Sequence, residues 1–413
     1  MGVVVQNKLS VRRILLCGGL IVTLSVGIRH GFGLWLLPIS QAHGWEREIF
    51  SFAMALQNLV WGLVGIFAGM LADRYGAFKI IVGGAICYAF GLIGMAYSST
   101  PLMFILTVGV VTGIAHSATT YIIIFGIIGR HISATKRSWA MGVAAATGSF
   151  GQFMMLPVSN TLISLNGWQG ALVILALMSL LIIPLAAFLR ERVVWVPSDS
   201  DSGAVERDQS IIEACKEALT YRSYVLLILG YFVCGFQVVF IAVHLPGYIK
   251  DNGLGPEVAS FSLALIGLFN IFGSYLVGSM GQRFQKRYLL MGIYALRAVI
   301  IVLFLLAPLS PLSVYLFSMA MGFLWLSTVP ATNAIIAQIF GIRHLSMLGG
   351  IAFFSHQVGS FLGVWLGGVF YDKFGNYDLM WLLAIAMSVF ATLANWPIIE
   401  RAIERRQTPV LGN

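Results

Sequence analysis

The sequence predicts an all-α membrane protein with twelve transmembrane helices, and three observations support this fold class. Of its 413 residues, 59% are hydrophobic and only 10% are charged, with a mean hydropathy of +0.89. A water-soluble domain could not cover its surface with so few polar residues. The apolar runs reach the ~20 residues that cross a ~30 Å hydrocarbon core, and they lack the alternating pattern of a β-barrel. A large soluble catalytic domain is therefore excluded.

Polar segments divide the apolar sequence into twelve predicted spans. We place them at residues 14–40, 48–71, 79–97, 102–128, 138–163, 169–189, 223–249, 258–280, 288–307, 311–340, 346–370 and 379–399. Six spans form an N-terminal bundle (1–189) and six form a C-terminal bundle (223–413), with a central loop at 190–222. The loop is rich in Ser and Asp at 197–203, a composition that forms no core, and its residues 211–219 predict a short amphipathic helix.

The positions of the basic residues explain the net charge of +9. Arg29 and Arg297 lie inside predicted spans. Of the 25 Lys and Arg residues, only Arg47, Lys250 and Lys373 fall on one side of the membrane, and the remaining twenty fall on the other. The positive-inside rule then places both termini in the cytoplasm. We expect the protein to lie in the inner (plasma) membrane of the cell. Since topology accounts for the charge, we expect no nucleic-acid partner.

A glycine-bounded loop follows the second span and reads Gly-Met-Leu-Ala-Asp-Arg-Tyr-Gly at 69–76. In such a tight turn a carboxylate can cap a helix N-terminus and pair with an arginine, which holds the two helices together. We therefore predict that Gly69, Asp73, Arg74 and Gly76 form a conformational latch.

This loop resembles the signature G-x-L-A-D-R-x-G of the major facilitator superfamily. Residues 278–284 carry a degraded copy, and residues 371–375 carry a looser one on the opposite side. The resemblance covers nearly the whole chain and implies two pseudo-symmetric six-helix bundles with a substrate site between them near the midplane. The sequence contains no metal cluster, nucleophile and base set or phosphate loop, so we expect a monomeric transporter without cofactor or metal, and no enzyme.

The acidic residues narrow the class of substrate. All 16 Asp and Glu residues fall in predicted loops or at span edges. A transporter of organic cations, or a typical drug/proton antiporter, would need a carboxylate inside the membrane to hold the cation or carry the proton. The sequence therefore favours an anionic or neutral substrate.

Two arginines lie near the middle of their spans, where an arginine costs at least ~2.5 kcal/mol unless it faces water or a partner. The fork of Arg29 suits a carboxylate or phosphate, so we expect it to bind substrate; the alternative is that it braces the N-terminal bundle through helix carbonyls. For Arg297, in the ninth span, we expect a bracing role against Asn270 or Ser274, because the resemblance implies an outer scaffold helix. Gln237 lies at a depth similar to that of Arg29, which favours a site shared between the bundles.

Three histidines within the spans are candidate proton carriers, because the unperturbed pKa of histidine is near 6.5. His356 lies beside Gln357 on a face rich in Gly and Ser, and we expect both residues to contact the substrate. His116 in the fourth span and His244 in the seventh are further candidates for proton coupling. Each histidine could instead be an interhelical hydrogen-bond donor.

Three further segments resemble the monocarboxylate and oxalate/formate branch of the superfamily. They are residues 31–38, residues 43–45 and residues 367–372, together with Arg130. The oxalate/formate pattern N-x-x-G-R-x-x-x-G is altered at 270–278, where Asn270 stays a candidate substrate contact but Ser274 replaces the arginine. A dicarboxylate held between two fixed charges is therefore not expected.

Together these features predict a secondary active transporter that works by alternating access and takes up a small, monocarboxylate-like organic anion with a proton. Two alternatives stay open. One is an efflux pump or exchanger for a larger neutral or weakly acidic compound, although the fifth span lacks the Gly-Pro pair of the antiporter signature. The other is a membrane sensor with a transporter fold that moves no solute.

Overall fold

Apolar helices make up most of the chain in the computed structural model, which describes residues 2–5, 9–191, 193–196, 211–281, 283–341 and 345–403. Within these residues, ten helical stretches are long and apolar enough to cross a membrane. They are Val11–His43, Arg47–Gly65, Ala77–Tyr97, Pro101–His131, Ala140–Ala187, Arg222–Asp251, Pro256–Met280, Lys286–Leu306, Pro311–Phe340 and Asp378–Asn395. The second of these helices continues to Tyr75, and another apolar helix covers Leu345–Phe374.

These stretches account for all twelve predicted spans. The helix Ala134–Ser179 is kinked at Gly167, where φ is +68°, and a separate turn of helix follows at Ile182–Ala187. The apolar stretch Ala140–Ala187 has 48 residues, or about 72 Å of helix at 1.5 Å per residue, which is more than twice the thickness of a membrane core. It therefore holds both the fifth and the sixth span, and Leu345–Phe374 is the eleventh.

Three of the spans are interrupted, which the sequence analysis did not predict. The first comprises Val11–Arg13, a π-helical turn Ile14–Gly18, Gly19–His30, a 3₁₀ turn Phe32–Trp35 and Leu36–His43. The fourth comprises Pro101–Phe104, a π-helical segment Ile105–Val111, Thr112–Thr119 and Tyr121–His131. The tenth is divided into Pro311–Leu324 and Thr328–Phe340. Each break frees backbone groups that need partners inside the protein.

Short elements accompany the spans. The predicted amphipathic segment forms the helix Ile211–Thr220. A strand at Gly2–Val5 pairs antiparallel with a strand at Val193–Val196, with Gly2 opposite Val196. This two-stranded ladder ties the start of the chain to the segment after the sixth span. We call the end of the molecule that holds the ladder the basic face and the other end, where the second span begins, the opposite face.

The two bundles pack against each other from the opposite face to mid-depth. The second span packs on the eleventh, the fifth on the eighth and the first on the seventh. Close approach depends on small residues: Gly33 lies against the carbonyl of Ala242, and a Cβ at Gly267 would lie 2.9 Å from the side chain of Gln152. Toward the basic face, Gly142 and Gly350 have open space beside them. The conformation is thus closed at the opposite face.

Candidate functional site

Arg29, which the sequence analysis predicts to bind substrate, lies at the break in the first span. The helix Gly19–His30 ends there, and the N–H of Gly31 donates to the carbonyl of Ile28 at 3.1 Å. Partial negative charge collects at the C-terminal end of a helix, so a cation in the last turn is stabilised. The side chain of Arg29 is only 9% exposed.

The contacts of Arg29 are with neutral groups. Its guanidinium donates to Oδ1 of Asn58, and its central carbon lies 4.7 Å from the ring centroid of Trp61. Its Nε is buried and has no hydrogen-bond partner within the described part of the chain. Among the residues that the structure describes, no carboxylate contacts this guanidinium. The alternative expectation, bracing through helix carbonyls, therefore does not match the contacts described for Arg29.

His116 lies near Arg29 in the same bundle. The Tyr88 ring lies 4.8 Å from the His116 ring and the Trp61 ring 5.8 Å from it. The hydroxyl of Ser25 is 2.7 Å from that of Thr119 and 3.5 Å from His116 Nδ1. Since Thr119 donates to a helix carbonyl, Ser25 donates to Thr119 and accepts from His116 Nδ1. The Nε2 of neutral His116 then holds a lone pair, and no described residue forms a hydrogen bond with it.

His356 occupies the C-terminal side of the same interface. Its Nδ1 lies 3.2 Å from Oε1 of Gln357, and Nε2 of Gln357 donates to the backbone carbonyl of Asn58 at 3.0 Å. The amide orientation makes His356 Nδ1 the donor, so Nε2 of the neutral ring holds a lone pair. This atom is buried and has no hydrogen-bond partner among the described residues. The structure thus joins three predicted residues, Arg29, Gln357 and His356, through Asn58, which the sequence analysis missed.

Asn270 contributes to the interface between the fifth and eighth spans. Its amide donates to the hydroxyl of Ser149 at 3.0 Å, and its oxygen accepts from the N–H of Leu326 and from the hydroxyl of Ser274. Gln152 makes a similar bond across the interface, to the carbonyl of Leu263. In this conformation the side chain of Asn270 is occupied in joining the two bundles.

Gln237 and Arg297 belong to the interior of the C-terminal bundle, and Arg297 has different partners from those predicted. It is fully buried and donates to the carbonyls of Leu324 and Trp325, to Oε1 of Gln237 and to the thiol of Cys234. It does not brace against Asn270 or Ser274, because the break in the tenth span leaves carbonyls that accept its N–H groups. The Gln237 amide also donates to the carbonyl of Ala384.

His244 lies under the contacts that close the opposite face, away from Arg29. Its Nε2 is 2.8 Å from the carbonyl of Val364, so this nitrogen donates, and Nδ1 accepts from the hydroxyl of Tyr377 at 3.1 Å. That hydroxyl also accepts from Arg47. Both ring nitrogens of His244 are therefore satisfied, unlike those of His116 and His356.

The opposite face is closed by an ion pair and a helix cap between the bundles, which we call the opposite-face latch. Arg47 binds Asp251 through two bonds of 2.7 Å, and its guanidinium lies 3.4 Å from the ring centroid of Tyr371. Asp372 accepts from the N–H groups of Arg47 and Glu48 at the start of the second span, 3.0 and 2.6 Å away. Two features of the sequence point to this latch: the looser copy of the loop signature at 371–375, and Arg47 as one of only three basic residues on its side of the membrane.

A second carboxylate cluster lies at the basic face. Glu191 accepts from Arg130 at 2.6 Å, from His131 at 2.8 Å and from the N–H of Ala77, the first residue of the third span. Burial alone would raise the pKa of Glu191, but the hydrogen bonds from His131 and Arg130 lower it below its ordinary value. His131 Nδ1 also accepts from the N–H of Leu9.

The predicted latch residues lie beside this cluster. Gly76 joins the second span to the third, and its φ is +87°. This backbone conformation favours glycine, because glycine has no Cβ. A Cβ at Gly69 would lie 3.5 Å from Ile122. The side chains of Asp73 and Arg74 lie outside the described residues. In the described part of this loop, the carboxylate at the start of the third span is that of Glu191.

Comparisons with known proteins agree with this architecture. The chain is 25% identical over 380 residues to the uncharacterized MFS-type transporter YcxA of Bacillus subtilis (strain 168), covering 90% of this chain and 91% of that protein. It is 24% identical over 361 residues to monocarboxylate transporter 13 of Rattus norvegicus, covering 87% and 82%.

A solved structure has the same fold. It is a bacterial homologue of the human lysosomal transporter Spinster in an inward-facing and occupied conformation, with a TM-score of 0.71 and 15% identity over 92% of this chain and 94% of that one. The sequence profile of the Major Facilitator Superfamily matches residues 15–329 and 227–410. The chain therefore belongs to the Major Facilitator Superfamily, as a multi-pass membrane transporter and not an enzyme.

Proposed function

We propose that the protein is a secondary active transporter that takes up a small organic anion of the monocarboxylate class together with a proton. It works by alternating access as a monomer in a plasma membrane, with both termini in the cytoplasm. The observation that carries the proposal is Arg29, a buried cation with an unpartnered Nε and without a carboxylate among its described contacts.

An anion would supply what the surroundings of Arg29 lack. A buried guanidinium is costly unless it is compensated by charge and hydrogen bonds. Asn58 accepts one of its hydrogen bonds, and the face of Trp61 lies against its plane. A carboxylate can accept two parallel N–H groups from one arginine, and Nε is one such donor. The names of the monocarboxylate transporters among the relatives support the same class of substrate.

The two histidines near Arg29 supply the proton site. In the neutral state, Nε2 of His356 and Nε2 of His116 present lone pairs, which repel a carboxylate. Protonation turns either nitrogen into a donor that attracts the same carboxylate. Binding of anion and proton is therefore mutually favourable, as symport requires. His356 is the preferred carrier, because Gln357 links it to Asn58 and hence to Arg29.

The charges and contacts at the two faces indicate how the protein is oriented in the membrane and how the transport cycle proceeds. The excess of Lys and Arg at the basic face supports a cytoplasmic location for that face. The opposite-face latch then closes the external side, and it must open for the anion to enter from outside. Rocking of the bundles about the packed glycines would expose Arg29 to each side in turn.

The test is uptake of a labelled monocarboxylate such as lactate by proteoliposomes under an inward proton gradient. Substituting Arg29→Gln removes the cation and leaves an amide that can still contact Asn58. We expect uptake to fall about 100-fold, because hydrogen bonds to a charged group contribute about 1.5–3 kcal/mol each. A protonophore should reduce wild-type uptake to the equilibrium level.

Arg12→Gln is the matched control, since Arg12 is exposed at the basic face, and it should transport like the wild type. Normal uptake by Arg29→Gln would contradict the role of Arg29. Uptake that ignores both external pH and the protonophore would contradict the proton coupling alone. Net export from energised cells would instead support the efflux alternative, and the absence of any flux would support the sensor.

A further inference from the structure

Six aromatic rings form a continuous series across the interface between the bundles, at the depth of Arg29. They are Tyr88, His116, Trp61, Phe353, His356 and Tyr231, and consecutive ring centroids are 4.8, 5.8, 5.9, 5.8 and 4.9 Å apart. The first three belong to the N-terminal bundle and the last three to the C-terminal bundle. Trp61 and Phe353 meet at the boundary.

The two central rings differ from the others in exposure. Tyr88, His116, His356 and Tyr231 are buried, whereas Trp61 and Phe353 are only partly buried. Within this series, each bundle therefore presents one partly exposed ring at the boundary. Trp61 is also held in place, because its indole N–H donates to the hydroxyl of Thr120 at the break in the fourth span.

Arg29 places a carboxylate-binding group beside these rings, with its guanidinium over the Trp61 ring at 4.7 Å. A ligand whose carboxylate binds Arg29 would have the remainder of its structure next to the indole of Trp61 and the ring of Phe353. A flat ring can stack on such faces, and each aromatic pair contributes about 0.5–1.5 kcal/mol beyond the burial of its area. A saturated ring of the same carbon count gains the burial but not the stacking.

We propose that the preferred substrates are monocarboxylates with a planar aromatic ring, bound with the carboxylate on Arg29 and the ring against Trp61 and Phe353. This inference rests on the proposed function, because it takes Arg29 as the anion site. It adds that Trp61 and Phe353 determine specificity, one from each bundle. When the bundles move apart, one ring leaves the ligand and the other stays with Arg29.

Benzoate and cyclohexanecarboxylate form the discriminating pair of probes, since they share carbon count and charge but differ in planarity. Equilibrium binding to the purified full chain avoids the passive membrane permeation of these acids. We expect the wild type to bind benzoate at least 5-fold more tightly than cyclohexanecarboxylate. Trp61→Leu and Phe353→Leu should each weaken benzoate binding about 2- to 12-fold, with less than a 2-fold change for cyclohexanecarboxylate.

Two further variants keep the test interpretable. Trp61→Phe retains a ring and should keep most of the preference, even if Trp61→Leu proves unstable. Trp396→Leu makes the same substitution at a tryptophan that is 64% exposed and should leave both affinities unchanged. Equal wild-type affinities for the two acids would overturn the inference. If Arg29→Gln then abolished the binding of both acids, the proposal that Arg29 is the anion site would still stand. Failure of every carboxylate, including lactate, to bind would overturn the proposed function as well.

Discussion

Arg29 and Arg297 are both buried arginines near the middle of a span, yet their surroundings differ. Arg297 donates to two backbone carbonyls, an amide oxygen and a thiol, all within the C-terminal bundle. Arg29 has Asn58 and the face of Trp61, and it lies beside the boundary between the bundles. Arg297 substitutes for missing backbone bonds in a broken helix, whereas Arg29 lies beside a break and keeps a buried Nε that donates to none of the described residues.

The arginines at the two faces complete the comparison. Arg47 and Arg130 each bind a carboxylate, Asp251 and Glu191 respectively, at 2.7 and 2.6 Å. At these two sites an arginine is thus paired with an acid, whereas the described contacts of Arg29 and Arg297 in the middle are with neutral groups. An acid at mid-depth would compete with a substrate anion for Arg29, so this distribution favours anion binding there.

The largest effect should come from making one substitution, Arg→Met, at both buried arginines. At 297 it leaves the carbonyl of Leu324 without its donor and that of Trp325 with only a 3.8 Å contact to the Cys234 thiol. A buried acceptor without a partner costs about 1–3 kcal/mol. We therefore expect Arg297→Met to lower the melting temperature of the detergent-purified protein by many degrees or to prevent its accumulation. Arg29→Met should keep or raise the melting temperature and lose monocarboxylate uptake.

The two read-outs, melting temperature and uptake, separate the roles of the two arginines. If Arg29→Met is as unstable as Arg297→Met, Arg29 also braces the bundle and the distinction fails. A stable Arg297→Met that has lost uptake would assign Arg297 to transport.

A smaller effect is expected at the opposite-face latch. Arg47→Gln removes the ion pair with Asp251 while leaving the helix cap by Asp372, so the closed conformation loses part of its stabilisation. The side chain of Ser51 is buried beneath this latch and contacts His244, so a Ser51→Cys reporter should be slow to label. In Arg47→Gln, labelling by an impermeant maleimide should rise about 10-fold.

Lys250→Gln is the control for this experiment, because it removes a charge from an exposed residue at the same face. It should leave the labelling rate unchanged. If Arg47→Gln labels no faster than that control, the ion pair does not hold the face closed.

The smallest effect is expected at the ion pair of Glu191 with Arg130 at the basic face. Since the folded-state pKa of Glu191 lies below its ordinary value, its ion pairs stabilise the protein above pH ~4.3, the ordinary value for glutamate, and the stabilisation is lost as the pH falls through the lowered pKa. Glu191→Gln should lower the melting temperature by a few degrees at pH 7, with the difference shrinking toward pH 3.5. A difference that is constant across this range would mean that the carboxylate charge contributes nothing.

The sequence predicted the twelve spans and Arg29 because both depend on local properties: the length of apolar runs, and the cost of a charge among them. The face of small residues around Gln357 and His356 drew attention to them, and the structure brings both to the interface between the bundles, where their substrate and proton roles stay predictions. The sequence could not predict the partners of Arg297, because those carbonyls become available only through the break in the tenth span. Nothing in the local composition of residues 325–327 marks that break.

Asn58 and Trp61 were missed for a related reason. Each is an ordinary residue within an apolar helix, and only the packing of the second span against the first brings them to Arg29. Asp372 and Arg47 show the opposite case. Arg47 was visible as one of three basic residues on its side of the membrane, and Asp372 as part of the looser loop copy at 371–375. They are separated by 325 residues in the chain, and their contact follows from the closure of the bundles.

The place of Gly33 against the carbonyl of Ala242 gives experimenters control over the state of the molecule. Hydrogen is the largest substituent that the seventh span admits there, so a methyl group at residue 33 would act as a wedge in the first span. Such a wedge penalises the conformation in which the opposite face is shut. We therefore expect Gly33→Ala to enrich the conformation that is open at the opposite face. Conformation-selective antibodies and structure determination could then be directed at that conformation.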